Sequence, residues 1–302
     1  MIKCNPHRIS TSLFNPSIGS LTMLLSMLVP WVFMAISSAY FLFTVAKLTL
    51  AGDFKTLRSW PALKNAWFGE FWAFMGPLSK SRGEGRVIPM LEGRIRGGRV
   101  SNQGSSTPIE GVVLEVGAGS GMWTEALATI VGAAKAESRN GPTKIYGIEP
   151  NPVSAASLRR RVEETGLKGI YLVVPVGIED LQNETAWGGR IDTGSVDCIM
   201  TVQCLCSIPD PEKNIRLLYS YLKKGGRWYV YEHVKAERGL VVPLFQRFTD
   251  IFWRHMMGSC HLCRQTDRVL QEVGTWTKID LAHPSDEEYY EAIPHVVGIL
   301  TK

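Results

Sequence analysis

The chain has 302 residues, is 45% hydrophobic and carries a formal net charge of +5 at pH 7, which suits one full-sized domain with an appendage. Its basic residues are scattered, without an aromatic-interleaved basic helix or a zinc-finger spacing, and this argues against a nucleic-acid partner. The charges are uneven, because no Asp or Glu precedes Asp53.

Residues 1–20 form a basic tail with Lys3, His7 and Arg8, and residues 9–46 hold no charged side chain. The 21–46 run is apolar and long enough for a tilted span, at about 1.5 Å per residue across a hydrocarbon core of about 30 Å. Residues 21–50 are therefore expected to be a membrane anchor. Pro30 lies inside it and permits either a kinked single helix or the tip of a hairpin. A mitochondrial transit peptide and a signal peptide are the cleaved alternatives; the length of the apolar run favours a retained anchor. Lys47, Lys55, Arg58 and Lys64 follow the segment and only Lys3 and Arg8 precede it, so the positive-inside bias points to a cytosolic carboxy-terminal domain.

Over 57–75 apolar residues recur every three to four positions, from Leu57 and Trp60 to Trp72 and Met75, which predicts a helix lying on the bilayer or packed as a lid. Residues 80–99 are basic and read as a solvated face, with attraction to anionic headgroups if the helix is interfacial. Residues 97–111, rich in Gly and Ser, read as a flexible link. On this reading 51–110 is an amphipathic aromatic helix plus linker and 111–302 is the catalytic domain.

From 112 onward strand and helix patterns alternate, as a parallel α/β sheet requires. Strands are expected at 112–116, 144–149, 171–176, 197–202 and 227–231, with helices at 122–132, 151–163 and 212–223. A helix at 264–273 and strands at 277–281 and 296–300 would complete a Rossmann-like, seven-stranded doubly wound sheet.

The first of these strands ends in Glu115-Val116-Gly117-Ala118-Gly119-Ser120-Gly121. Alternate glycines allow a sharp turn and a close approach of backbone to a ligand, while the following helix offers free N–H groups. A dinucleotide fingerprint needs G-x-G-x-x-G, and this spacing differs, which counts against a nicotinamide oxidoreductase. In a doubly wound sheet the ligand sits beyond the carboxyl ends of the strands. Glu149 ends the second strand, where a carboxylate can accept both ribose hydroxyls of a nucleoside. Gly177, Ile178, Glu179 and Asp180 follow the third strand and suit an adenine ring. Val202 and Gln203, in the 202–207 segment, follow the fourth and face the acceptor end, and Glu115 can organise the glycine turn.

The glycine turn resembles motif I of the class I S-adenosylmethionine-dependent methyltransferases. Gly147-Ile148-Glu149-Pro150-Asn151-Pro152, Gly194-Ser195-Val196-Asp197, Leu205-Cys206-Ser207-Ile208, Leu222-Lys223-Lys224-Gly225-Gly226-Arg227, Glu232-His233-Val234 and Gly258-Ser259-Cys260, with Arg264 and Thr266, follow in order. The chain thereby resembles the membrane-associated methyltransferase-like seven family of thiol S-methyltransferases and its fungal relatives. The resemblance implies S-adenosylmethionine as cofactor, held by Glu115, Gly117, Ala118, Gly119, Gly121, Glu149, Pro150, Asn151, Gly177, Ile178, Glu179, Val202 and Gln203. It also implies a small, apolar acceptor, a thiol above all, and a place on the endoplasmic reticulum or lipid droplets; the basic, acid-free amino terminus keeps a mitochondrial membrane as the alternative.

The alternatives are an oxygen or nitrogen acceptor of a lipid, quinone or secondary-metabolite pathway, and an inactive membrane-surface interaction protein. Ala118, Ser120, the 133–142 insertion and Gln203-Cys204 depart from the family pattern. His233, after the fifth strand, is the first candidate for a base or a substrate-orienting group; Asp250 and His255 are weaker ones. Cys204-x-Cys206 and Cys260-His261-Leu262-Cys263 form no compact knuckle, so no metal is expected.

Overall fold

The computed structural model describes residues 16–302, so Lys3, His7 and Arg8 of the expected basic tail lie outside the described residues. The described residues begin with α1 (Pro16–Leu50), then a short α2 (Phe54–Arg58) and the long α3 (Trp60–Leu91). A small hairpin, β1 (Ile95–Arg96) and β2 (Arg99–Val100), leads to β3 (Gly111–Val116). Alternation follows: α4 (Thr124–Ala136), β4 (Pro142–Ile148), α5 (Pro152–Glu164) and β5 (Tyr171–Val174). After a short α6 (Glu184–Trp187) come β6 (Val196–Val202), α7 (Pro211–Tyr221) and β7 (Leu222–His233). The chain closes with α8 (Val241–Met256), α9 (Thr266–Glu272), β8 (Lys278–Ala282) and β9 (His295–Thr301).

Seven strands form one sheet in the order β5-β4-β3-β6-β7-β9-β8. The first five are parallel, and β9 runs antiparallel to both β7 and β8. This is the doubly wound fold expected from the alternation, with its switch in strand order between β3 and β6. Apolar strand residues such as Val113, Leu114, Ile145 and Ile199 are buried under helices on both faces. Asn151 starts α5 by accepting the N–H groups of Val153 and Ser154, with Pro152 at the first helical position.

Three features decide between, or depart from, the sequence expectations. First, α1 is one continuous helix through Pro30, so the hairpin is not adopted. It is docked on the rest of the chain: Trp67 Nε1 donates to the Ser37 carbonyl (2.8 Å), Ser37 Oγ to the Met256 carbonyl (2.6 Å), and Ser26 Oγ to Glu291 (2.9 Å). Second, α3 runs on to Leu91, through half of the stretch expected to be a solvated basic face. Third, the 97–111 segment expected as a flexible link is anchored, with Ile109 buried in the same core as Val87, Met90 and Leu91 and the Thr107 carbonyl accepting the Tyr229 hydroxyl.

The glycines of α3 explain how so long a helix lies across the sheet. Gly69, Gly76 and Gly83 are spaced by seven, so they share a face. A Cβ at Gly69 would lie 3.1 Å from Val153, one at Gly76 2.8 Å from Met122 Sδ, and one at Gly83 3.2 Å from the Tyr231 ring. The helix therefore lies over the carboxyl ends of the strands as a lid.

Candidate active site

A cavity of about 1150 Å³ opens between the carboxyl ends of the strands and α3. Its floor is the turn after β3. Gly117 and Gly119 hold left-handed backbone, at φ +68° and +57°. A Cβ at Gly117 would lie 2.4 Å from the Cβ of Cys204, whereas one at Gly119 would meet nothing nearer than a carbonyl at 4.0 Å. The backbone at Gly119 is thus left bare toward a ligand.

Glu149 is the polar anchor of this end. One carboxylate oxygen accepts the Gly119 N–H and the other the Asn151 N–H, both at 2.8 Å, and each keeps a lone pair. Burial raises its pKa, and the two N–H groups oppose that shift. The Gly117 and Ala118 N–H groups both donate to the Ile148 carbonyl, which ties the glycine turn to β4.

Of the residues expected to bind cofactor, Gly117, Gly119, Glu149, Pro150, Asn151, Gly177, Ile178, Glu179, Val202 and Gln203 all line the cavity. Of the two acids after β5, Glu179 lines it and Asp180 does not. Glu115, Ala118 and Gly121 are also absent from the lining. Ala118 is core, and Gly121 packs its backbone against Arg161 and Leu158. Glu115 is fully buried, accepts the Tyr171 hydroxyl at 2.7 Å, and is pushed up to about 7 by burial despite that bond.

His233 lines the cavity, with Nε2 3.1 Å from Cys260 Sγ and Nδ1 without a partner. Burial lowers its pKa, but the neighbouring Cys206 thiol and Glu232 carboxylate leave it above the ordinary imidazole value. Asp250 accepts the Leu262 N–H and His255 is exposed, and neither lines the cavity.

Residues outside the expected set complete the acceptor end. His295, the first residue of β9, stacks on Tyr231 at 4.9 Å. Its Nδ1 lies 2.8 Å from Glu287 Oε1, its N–H donates to Glu287 Oε2 at 2.6 Å, and its Nε2 faces the Gln203 amide at 3.2 Å. Gln203 holds this position with a left-handed backbone, φ +53°, and accepts the Ser79 hydroxyl at 2.7 Å. Arg86 of the lid donates to the Tyr231 hydroxyl and pairs with Asp286 at 2.9 Å. Burial, together with nearby His233 and Arg86, lowers the His295 pKa against the opposing pull of Glu287, and the short Nδ1 contact suits an N–H donated to that carboxylate. The sequence signal for this set was slight: a histidine opening the last strand, eight residues after a glutamate.

The far wall is apolar and comes from α1, through Leu25, Val29, Val32, Phe33 and Ile36. The cavity is thus polar around Gly119 and Glu149 and largely apolar where α1 lines it, with Thr22 and Ser26 as the polar exceptions there.

A family model described as a methyltransferase domain matches residues 94–273. Among curated proteins, a rat protein named thiol S-methyltransferase TMT1B is 26% identical over 161 residues, 53% of this chain and 62% of its own length. A human protein named thiol S-methyltransferase TMT1A is 27% identical over the same shares. The match thus spans less than two thirds of these relatives. Among solved structures, a putative O-methyltransferase from Nostoc punctiforme superposes with a TM-score of 0.50 at 11% identity. That superposition covers 78% of this chain and 60% of the other, and it bears on the fold alone. The bare backbone at Gly119, the Glu149 carboxylate with its spare lone pairs and the adjoining Gly177–Glu179 pocket fit S-adenosylmethionine, the cofactor of this domain. With a seven-stranded Rossmann-like sheet, this glycine turn and a family match over most of its length, the chain belongs to the methyltransferase-domain family.

Proposed function

We propose that the protein is a membrane-associated methyltransferase acting on a small apolar thiol that enters from the lipid side. The observation that carries this reading is the continuity of one cavity from the glycine turn to the apolar side chains of α1. The names of the matched relatives support sulfur as the methylated atom.

When bound, S-adenosylmethionine supplies an electrophilic methyl group on a sulfonium. The chain's own part is to hold and align. Glu149 and the glycine turn fix the nucleoside end, α3 excludes water from above, and the α1 wall seats an apolar acceptor. A thiol with a pKa of about 8.5 needs little help to ionise. His295, oriented by Glu287, stands ready to take its proton.

The membrane reading rests on α1 and α8. α1 carries a 30-residue stretch long and apolar enough to cross a bilayer. Yet Ser26, Ser37 and Lys47 contact the folded domain along most of its length, and a helix crossing the membrane would carry that domain into the hydrocarbon. We therefore place α1 in the plane of the interface. Exposed Leu24, Leu28 and Trp31 of α1 join Leu244, Phe248 and Phe252 of α8 into one apolar face, with Trp31 6.2 Å from Phe248. A cytosolic face of the endoplasmic reticulum or lipid droplet fits this arrangement; a fluorescent fusion found only on mitochondria would refute that address.

The test is methyl transfer from labelled cofactor to a panel of alkyl thiols, phenols and quinols in micelles. Apolar thiols are expected to turn over fastest. Transfer to phenols or quinols with none to thiols would overturn the sulfur assignment. The His295–Glu287 pair specifically favours that second reading, an oxygen methyltransferase, because a phenol with a pKa of about 10 draws more on a base.

A further inference from the structure

Beside the acceptor end of the cavity, three soft ligand atoms meet that the sequence had kept apart. Cys206, in the turn after β6, His233, the last residue of β7, and Cys260, in the turn after α8, bring two sulfurs and an imidazole nitrogen within 4.8 Å of one another. All three residues are buried, and all three line the cavity.

We propose that Cys206, His233 and Cys260 form a zinc site whose fourth position faces the acceptor pocket. Two thiolates and an imidazole are a catalytic type of zinc set, with three protein ligands and one open place. Ideal tetrahedral bonds of about 2.3 Å to sulfur and 2.0 Å to nitrogen put the ligand atoms about 3.5–3.8 Å apart. His233 Nε2 already lies 3.1 Å from Cys260 Sγ. Closing the triangle thus needs side-chain adjustment of about an ångström, without a change of backbone.

Two further observations point to an occupant. His233 Nδ1 is buried without a partner, in a region where Cys206 and Cys260 share one apolar cluster. His233 meets the thiols of Cys206 and Cys260 and the edge of the His295 ring, but its Nδ1 has no partner, so part of its desolvation is uncompensated and a metal bond would offset that. The ligand turns are also held in place independently of any ion. His261 N–H donates to the Cys206 carbonyl at 3.0 Å, and Arg264 Nη1 clamps the Leu205 and Ile208 carbonyls at 2.7 and 2.8 Å. Such support is what a metal site needs around its ligands. The sequence pairs Cys204–Cys206 and Cys260–Cys263 are not used: Cys204 turns to Glu232, and Cys263 is not part of the cluster.

Binding would release the two thiol protons to solvent, leaving the dication balanced by two thiolates. At the open position the metal would hold the acceptor's sulfur as a thiolate, its proton passing to His295 and from there to solvent. This last role rests on the thiol reading above, whereas the metal site itself does not.

The test uses the full chain, purified in micelles under reducing conditions, stripped with a chelator and reloaded with zinc or cobalt without acceptor. The expected result is about one metal per chain by mass spectrometry, with thiolate-to-cobalt charge transfer and tetrahedral d–d bands in the cobalt form. Cys206→Ser, Cys260→Ser and His233→Asn should each lower affinity by roughly tenfold or more, while Cys198→Ala, far from the cluster, should retain stoichiometric metal. Retained S-adenosylhomocysteine binding shows that a variant has folded; for any that has not, the wild-type cobalt spectrum decides alone. Less than about 0.1 metal per chain in the reduced wild type, or a cobalt spectrum without thiolate charge transfer, overturns the site. So does full metal content in a folded Cys206→Ser/Cys260→Ser double variant. A stoichiometric metal with no thiol turnover would instead refute the acceptor assignment and leave the site standing.

Discussion

Glu149 fixes the turn geometry, because its two oxygens hold the N–H groups of Gly119 and Asn151, and we propose that its spare lone pairs take the ribose of the cofactor. Glu149→Ala leaves both N–H groups short of an acceptor, so S-adenosylhomocysteine binding by calorimetry is expected to weaken by about tenfold or more. Glu115 behaves differently, since it touches no cavity and its pKa is raised by burial from 4.5 to about 7. Glu232, bonded to the Cys204 and Leu205 N–H groups, is likewise pushed up to about 7 by burial. Between those values the folded state keeps protons that the unfolded chain has released, so stability is highest at the acid end and falls as pH rises toward 7. Denaturant midpoints should therefore drop from pH 5 to pH 8, on the order of 1–3 kcal/mol per group. Glu115→Gln should remove part of that slope; an unchanged slope would mean that Glu115 is ionised in the folded state.

At the scale of the element, α3 is a lid because its seven-residue glycine spacing lets the backbone approach Val153, Met122 and Tyr231. Gly83→Leu must lift the helix from Tyr231, and the dissociation of bound S-adenosylhomocysteine, followed by stopped flow, should quicken by about tenfold, the equivalent of 1.4 kcal/mol. Gly85 is the control, being exposed with nothing within 4 Å of an added Cβ, so Gly85→Leu should leave that rate unchanged. The aromatic stripe was plain in the sequence because Trp67, Phe71 and Met75 recur with helical period. The lid role was not, because a glycine spacing means close approach only once the opposing surface is known.

For the whole molecule, α1 and α8 present one apolar face although about 190 residues lie between Leu50 and Val241. Replacing Leu244, Phe248 and Phe252 with serine should reduce flotation with anionic vesicles several-fold while cofactor binding persists, since these side chains are exposed. Retained flotation would mean that α1 alone carries the membrane contact. The same packing bears on truncation: α1 covers Trp67 and Phe71 and walls the cavity, so a chain lacking residues 1–50 should unfold at lower temperature and bind apolar acceptors poorly.

Local pattern alone determined the order of strands and helices from residue 111, the glycine turn, the acidic end of its neighbouring strand and the apolar amino-terminal helix. Each of these is written in contiguous residues whose spacing matches the period of one element. Tertiary structure decided which residues from distant elements share a pocket. An antiparallel β9 brings His295 to the ligand end, which a run of parallel strands does not foretell. The fold likewise gathers Cys206, His233 and Cys260 across intervals that carry no local signal. Glu115 left the site for the same reason: sequence puts it next to the turn, but its side chain points to Tyr171. Neighbours in sequence follow from backbone periodicity, whereas neighbours in space depend on strand order and helix docking, which the burial of the whole core sets together.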